Sequence, residues 1–201
     1  PQAVLIIDSS IYVQSILAEY SPNMIFKGSM VSKYNFNFDS IATYISYENL
    51  MSAFGIVDDS INQRIKSYTL SNGVGVKNLN YDLTIRDSVN IPLNIWTNAS
   101  ATLLNDSKCI LTGISTNTDW PIHHIKIGVS NMYDQVIDSI SYRNHPDSIL
   151  YCGFVSSTTM VDDKLLVVGN YKINPNQFPY QDTPTYIQIT RLDTNLNIID
   201  H

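Results

Sequence analysis

Asp39-Ser40-Ile41, Asp87-Ser88-Val89 and Asp138-Ser139-Ile140 each close an apolar run, and Asn197-Ile198-Ile199-Asp200 closes a fourth in the same manner. These markers lie 48, 51 and 62 residues apart. Self-similarity at such a period signals stacked supersecondary units that share a core, and each interval has room for about four short strands with their turns. The β-branched and aromatic content, with Gly and Pro at connecting positions, opposes helices, so the chain reads as all-β. Only Ser10 to Tyr20 has a helical rival, because Ile16, Leu17 and Tyr20 share one helical face; the strand reading is favoured there.

The two C-terminal units align best. Asp106-Ser107-Lys108-Cys109-Ile110-Leu111-Thr112-Gly113 matches Asp162-Asp163-Lys164-Leu165-Leu166-Val167-Val168-Gly169, a polar turn followed by a buried strand and a Gly. His123-His124-Ile125-Lys126-Ile127 then matches Thr185-Tyr186-Ile187-Gln188-Ile189, with the alternation of a two-faced strand. Tyr34 to Ile41 parallels Leu192 to Ile199, whereas the unit from Arg64 to Val89 is weakest and its second strand is indistinct. Val4-Leu5-Ile6-Ile7-Asp8-Ser9 carries related letters. Residues 1–9 are therefore expected to end a preceding unit, followed by units 10–46, 47–92, 93–142 and 143–201 of a single repeat-built domain over 1–201.

Lys164 to Gly169 followed by Tyr186-Ile-Gln-Ile-Thr-Arg-Leu-Asp193, and the hairpin Thr194 to Ile199, resemble β-propeller repeats of secreted or periplasmic bacterial proteins. The resemblance implies a propeller, or a propeller segment, of about four four-stranded antiparallel blades. It also implies that connections between second and third strands emerge on the face around a central channel. It identifies an architecture and not a reaction.

Composition narrows the partners. A formal charge of −6, with Lys and Arg never clustered, provides no footprint for nucleic acid. No run approaches the roughly 18 apolar residues of a spanning helix, so membrane insertion is not expected. Cys109 and Cys152 lie in apolar runs and read as buried thiols. His123 and His124, adjacent on a strand, point to opposite faces and make a poor metal site; His145 sits among turn residues. The pairs Asp58-Asp59 and Asp162-Asp163 lack the pattern of a calcium loop and read as solvated turn carboxylates. No metal and no cofactor is expected, and no residue acquires a catalytic role from a motif. Asn98-Ala99-Ser100 and Asn105-Asp106-Ser107 fit the N-linked glycan acceptor rule.

The candidate ligand-binding residues lie in the long connections 114–121 and 170–184: Asp119 and Trp120 in the first, Tyr171, Phe178 and Tyr180 in the second. Aromatic rings beside polar groups suit protein or sugar contacts. The expected function is a noncatalytic extracytoplasmic interaction module that binds a protein or glycan through inter-strand loops. One alternative is a propeller enzyme acting on glycans as a hydrolase or lyase; another is a structural subunit of a surface assembly. Oligomeric state is left open.

Overall fold

A computed structural model describes residues 2–21, 23–48, 50–71, 73–105, 108–116, 123–142, 148–149, 155–173 and 185–200. Antiparallel strands form four sheets. Blade 1 comprises β1 (Ala3–Ile7), β2 (Ser10–Ser21), β3 (Asn23–Asn35) and β4 (Ser40–Tyr47); blade 2 comprises β5 (Ser52–Asp59), β6 (Arg64–Leu70), β7 (Val74–Asn80) and β8 (Ile85–Ile91). Blade 3 runs through β9 (Thr97–Asn105), β10 (Lys108–Thr116), β11 (His123–Asn131) and β12 (Val136–Tyr142). In blade 4 the first position is divided between β13 (Ser148–Ile149) and β14 (Val155–Val161), which pair with different stretches of β15 (Lys164–Ile173). β16 (Thr185–Leu192) and β17 (Ile198–Asp200) complete that blade.

First strands of successive blades are neighbours, β1 with β5, β5 with β9 and β9 with β14. The sheets therefore stack side by side with their first strands inward, the propeller arrangement expected from the repeats. Gly55 shows how close that inner approach is. A Cβ there would lie 2.6 Å from the Cβ of Ala101 on the next blade, which leaves no space for a larger side chain.

Apolar residues from adjacent blades interdigitate in three separate cores. Tyr12 and Val31 meet Ile56, Ile65 and Leu79 between blades 1 and 2. Tyr68, Leu70 and Val76 meet Cys109 and Leu111 between blades 2 and 3, and Ile110, Ile127 and Val129 meet Leu165, Val167 and Leu192 between blades 3 and 4. Interior blades are apolar on both faces because both are covered. Several polar groups placed in these junctions are hydrogen-bonded across them. Gln14 Nε2 donates to Ser67 Oγ at 2.8 Å and to the Tyr68 carbonyl at 2.9 Å, and Thr102 Oγ1 donates to the Thr158 carbonyl at 2.8 Å.

One turn recurs in all four blades, between the third and fourth strands: Asn35 to Asp39, Asn80 to Thr84, Asn131 to Gln135 and Asp193 to Asn197. The fourth residue of each donates its N–H to the carbonyl of the first, and the first donates to the carbonyl of the fifth. That fourth residue is left-handed each time, at Phe38 (φ 63°), Leu83 (69°), Asp134 (62°) and Leu196 (61°). A register shift follows in each strand pairing, as in a hairpin closed by a bulge. In blades 1, 3 and 4 the side chain of the first residue accepts two further backbone N–H bonds, which substitutes for the usual glycine in fixing the turn.

This turn corrects the repeat register. Counted from its first residue, Asp87, Asp138 and Asp200 are equivalent, whereas Asp39 falls three residues early; the blade 1 marker matches in letters and not in place. A second correction concerns residues 1–9. Ala3–Ile7 does not end a preceding blade: it pairs with β2 as the first strand of blade 1, from Ile7 opposite Ser10 to Ala3 opposite Gln14. Asp8-Ser9 is the two-residue turn between them, with Asp8 left-handed at φ 50°, so these letters serve a hairpin and not an outer strand. Ser10–Ser21 is a strand throughout, and the indistinct second strand of blade 2 is Arg64–Leu70. Its polar letters hid it because Lys66, Ser67 and Thr69 are buried there.

Candidate functional site

Strand direction assigns the connections to two ends. Ser52, Leu70, Val74 and Ile91 lie in register at one end of blade 2. In blade 2 that end carries the second-to-third-strand turn and the connections to the neighbouring blades. The other end carries the recurring third-to-fourth-strand turns.

At the first end, Met51, Ser71, Gly73, Pro92, Asn94 and Trp96 line an open groove of about 450 Å³. Its floor is explained by Ile91-Pro92-Leu93-Asn94-Ile95-Trp96. Leu93 donates its N–H to the Ile91 carbonyl at 2.7 Å and Ile95 to the Leu93 carbonyl at 2.8 Å, two successive three-residue turns. Ile91, Leu93 and Ile95 consequently point into the core between blades 2 and 3, and Pro92, Asn94 and Trp96 point outward. The N–H of Trp96 is anchored to the Ile114 carbonyl at 2.7 Å. Opposite, the Ser71 N–H bonds the Gly73 carbonyl at 3.0 Å, and Gly73 adopts φ 135°, a conformation that a side chain strains. The groove thus has a held backbone, an indole 44 % exposed, a carboxamide and a hydroxyl.

The opposite end holds the main charged cluster. Lys66 Nζ lies 2.6 Å from Asp134 Oδ1 and 3.8 Å from Asp59 Oδ2, and Arg64 Nε donates to Asp59 Oδ2 at 2.7 Å. Asn78 Nδ2 donates to Asp134 Oδ2 at 3.1 Å. Lys66, Asp59, Asn78 and Asp134 are all buried. The expectation that Asp58-Asp59 is a solvated turn pair is therefore wrong for Asp59, whose cationic partners lie on the next strand, and Asp58 accepts a hydrogen bond from Tyr81 Oη at 2.8 Å. Asp162-Asp163 is an exposed turn with both residues left-handed, as its chemistry suggests. The cluster joins blades and neutralises itself, so it offers no open acid or base.

Burial pushes the Asp59 carboxyl upward, but hydrogen bonds from Arg64 and Asn62 and the charges of Arg64 and Lys66 outweigh it and hold the group below its ordinary 3.8. A depressed carboxyl contributes stability that is fully present above its unfolded value and lost as pH falls through its folded one. Stability is thus expected to fall below about pH 4, and Asp59→Asn is expected to flatten that acid limb. Urea midpoints measured across the acid range check this, and parallel limbs for the two proteins would refute it.

Asp119, Trp120, Phe178 and Tyr180 lie outside the described residues, as do His145 and Cys152; Tyr171 is placed only by its backbone, in β15. Trp96 and Asn94 were not among the candidates, although a signal was present: three aliphatic residues, Ile91, Leu93 and Ile95, recur at every second position, which sets Pro92, Asn94 and Trp96 on the other side. Among the described residues no three His, Cys, Asp or Glu side chains cluster to hold a metal ion, and no helix is long and apolar enough to cross a membrane.

No protein-family model and no curated protein matches the sequence. Solved structures do match. An endo-1,4-beta-xylanase from Bacteroides thetaiotaomicron aligns with 99% of this chain and 70% of its own at 10% identity and a TM-score of 0.57. The β-propeller domain of the Trilobed protease from Pyrococcus furiosus aligns over 99% and 56% at 10% identity and 0.53. The GH43 BlXynB protein from Bacillus licheniformis aligns over 97% and 41% at 13% identity and 0.54. The chain thus spans less than two thirds of two of these three. At such identities the likeness establishes the propeller fold alone.

Proposed function

We propose that these blades are the substrate-holding wall of a glycan-acting propeller protein, and that the groove of Met51, Ser71, Asn94 and Trp96 contacts a β-linked polysaccharide outside the cytoplasm. The observation that carries the reading is the outward row Pro92, Asn94, Trp96 on a backbone fixed by its own hydrogen bonds. An indole face stacks on a sugar ring, and a neighbouring carboxamide bonds hydroxyls through both its donor and its acceptor. A structural neighbour named for xylan cleavage favours a glycan over a protein partner, and the glycan-acting alternative over a noncatalytic module. A polymer of that kind is met outside the cell, which is why the extracytoplasmic placement belongs to the same proposal. The described residues are assigned holding, and no bond-breaking step.

Calorimetric titration with xylo-oligosaccharides tests it. Saturable binding is expected, weakened about tenfold by Trp96→Ala, the loss of one stacked ring at roughly 1.4 kcal/mol. Absence of binding, or equal affinity in the variant, overturns the assignment.

A further inference from the structure

The recurring turn is also a connector. Its fourth residue crosses to the preceding blade: Leu83 of blade 2 enters the core with Tyr12 of blade 1, Asp134 of blade 3 meets Lys66 and Asn78 of blade 2, and Leu196 of blade 4 enters the core with Ile110 and Val129 of blade 3. These three are 5%, 3% and 2% exposed. Phe38, the same residue of blade 1, is 76% exposed. Among the described residues no blade lies before it to receive the ring.

Both outer faces share this condition. Val4, Ile6 and Ile45 are exposed on the blade 1 face that turns away from blade 2, and Val161, Ile187 and Ile189 on the blade 4 face that turns away from blade 3. Several apolar side chains left exposed on one face of a sheet suit an interface.

We propose that a second copy of this chain covers both faces, with blade 1 of each copy docked on blade 4 of the other and eight blades closing as one ring. By repeat, the outer face of blade 1 corresponds to the faces that blades 2 to 4 already pack on their predecessors. The receiving residues also correspond. Two positions before the turn, blade 1 has Lys33, opposite Tyr12, and blade 4 has Arg191, opposite Leu166. Lys33 Nζ and Tyr12 Oη both donate to the carbonyl of Tyr81, the second residue of the next blade's turn, at 3.0 Å; Lys66 does the same to the Met132 carbonyl at 3.2 Å. Arg191, whose guanidinium pairs with Asp200 on the neighbouring strand through one of its nitrogens, is the cation placed to hold the Phe36 carbonyl of the second copy with its other N–H groups. Its guanidinium and Leu166 form an apolar, cationic bed for the Phe38 ring. Such a head-to-tail contact closes only if its rotation returns to the start, and eight blades is a size at which propellers close.

Light scattering on the 201-residue chain is the test. A mass of about 45 kDa, twice 22.7 kDa, is expected, with Phe38→Asp weakening the association at least about tenfold at unchanged circular dichroism. The triple variant Phe38→Asp, Leu166→Lys, Arg191→Asn copies the Asp134, Lys66, Asn78 contact and is expected to restore the dimer. An open polymer, or a dimer indifferent to Phe38→Asp, overturns the ring. A monomer at roughly 100 µM, well above the Kd of specific interfaces of standard size, also overturns it and gives the faces to a further blade of a longer polypeptide.

Discussion

Replacing Asp134 by Ala is expected to destabilise the protein by about 3–5 kcal/mol, read as a lower urea midpoint with an unchanged slope. Lys66 is buried and its nearest carboxylate is Asp134, at 2.6 Å. Asp59, at 3.8 Å, is already engaged by Arg64 and by two hydrogen bonds from the Asn62 amide. Removing Asp134 leaves an ammonium in the junction with the Met132 carbonyl as its nearest remaining acceptor, and takes from Asn78 one of its two carboxylate acceptors. The loss is the desolvation of an uncompensated charge, and not the worth of the pair. The distinction is itself testable. Asp134→Leu combined with Lys66→Ile and Asn78→Val reproduces the residue types of the next junction, Leu196 with Ile110 and Val129, and is expected to recover most of the loss. If the triple variant is as unstable as the single one, the cost lies in the turn and not in the charge.

What the sequence disclosed depended on whether cause and effect were near each other along the chain. Strand alternation is local, so the four-sheet architecture could be read, as could the Asp162-Asp163 turn. Blade 1 misled because Asp-Ser after an apolar run is equally good chemistry for a two-residue turn at Asp8-Ser9 and for an outer strand at Asp138-Ser139. Only the hydrogen-bond ladder separates them. The burial of Lys66 and Asp134 could not be read at all, since the partners are 68 residues apart and meet only because blade 3 stacks on blade 2. Trp96 lay between these cases: the alternation that turns it outward was local, but the groove it lines is shared with Ser71 and Gly73 of another connection.

Leu196→Asp is expected to cost about 4 kcal/mol at neutral pH, combining the loss of a buried Leu side chain with the burial of a polar one. The left-handed backbone at Leu196 suits Asp at least as well, since Asp134 occupies the same turn position. The penalty therefore comes from the surroundings. Leu196 is 2% exposed among Ile110, Val129 and Leu192, a socket of hydrocarbon where blade 2 offers Lys66 and Asn78. A carboxyl buried there has its folded pKa raised above the unfolded value of about 3.9. Its penalty is then smallest below that value and grows as pH rises through the window between the two. Urea unfolding at about pH 4 and pH 7 is expected to show the smaller deficit in acid; equal deficits would mean that the new side chain escapes to water. Phe38→Asp makes the same change at the same turn position, yet within one chain it is expected to shift stability by no more than about 0.5 kcal/mol. Phe38 is exposed, so the effect of a turn residue is decided by the blade that receives it.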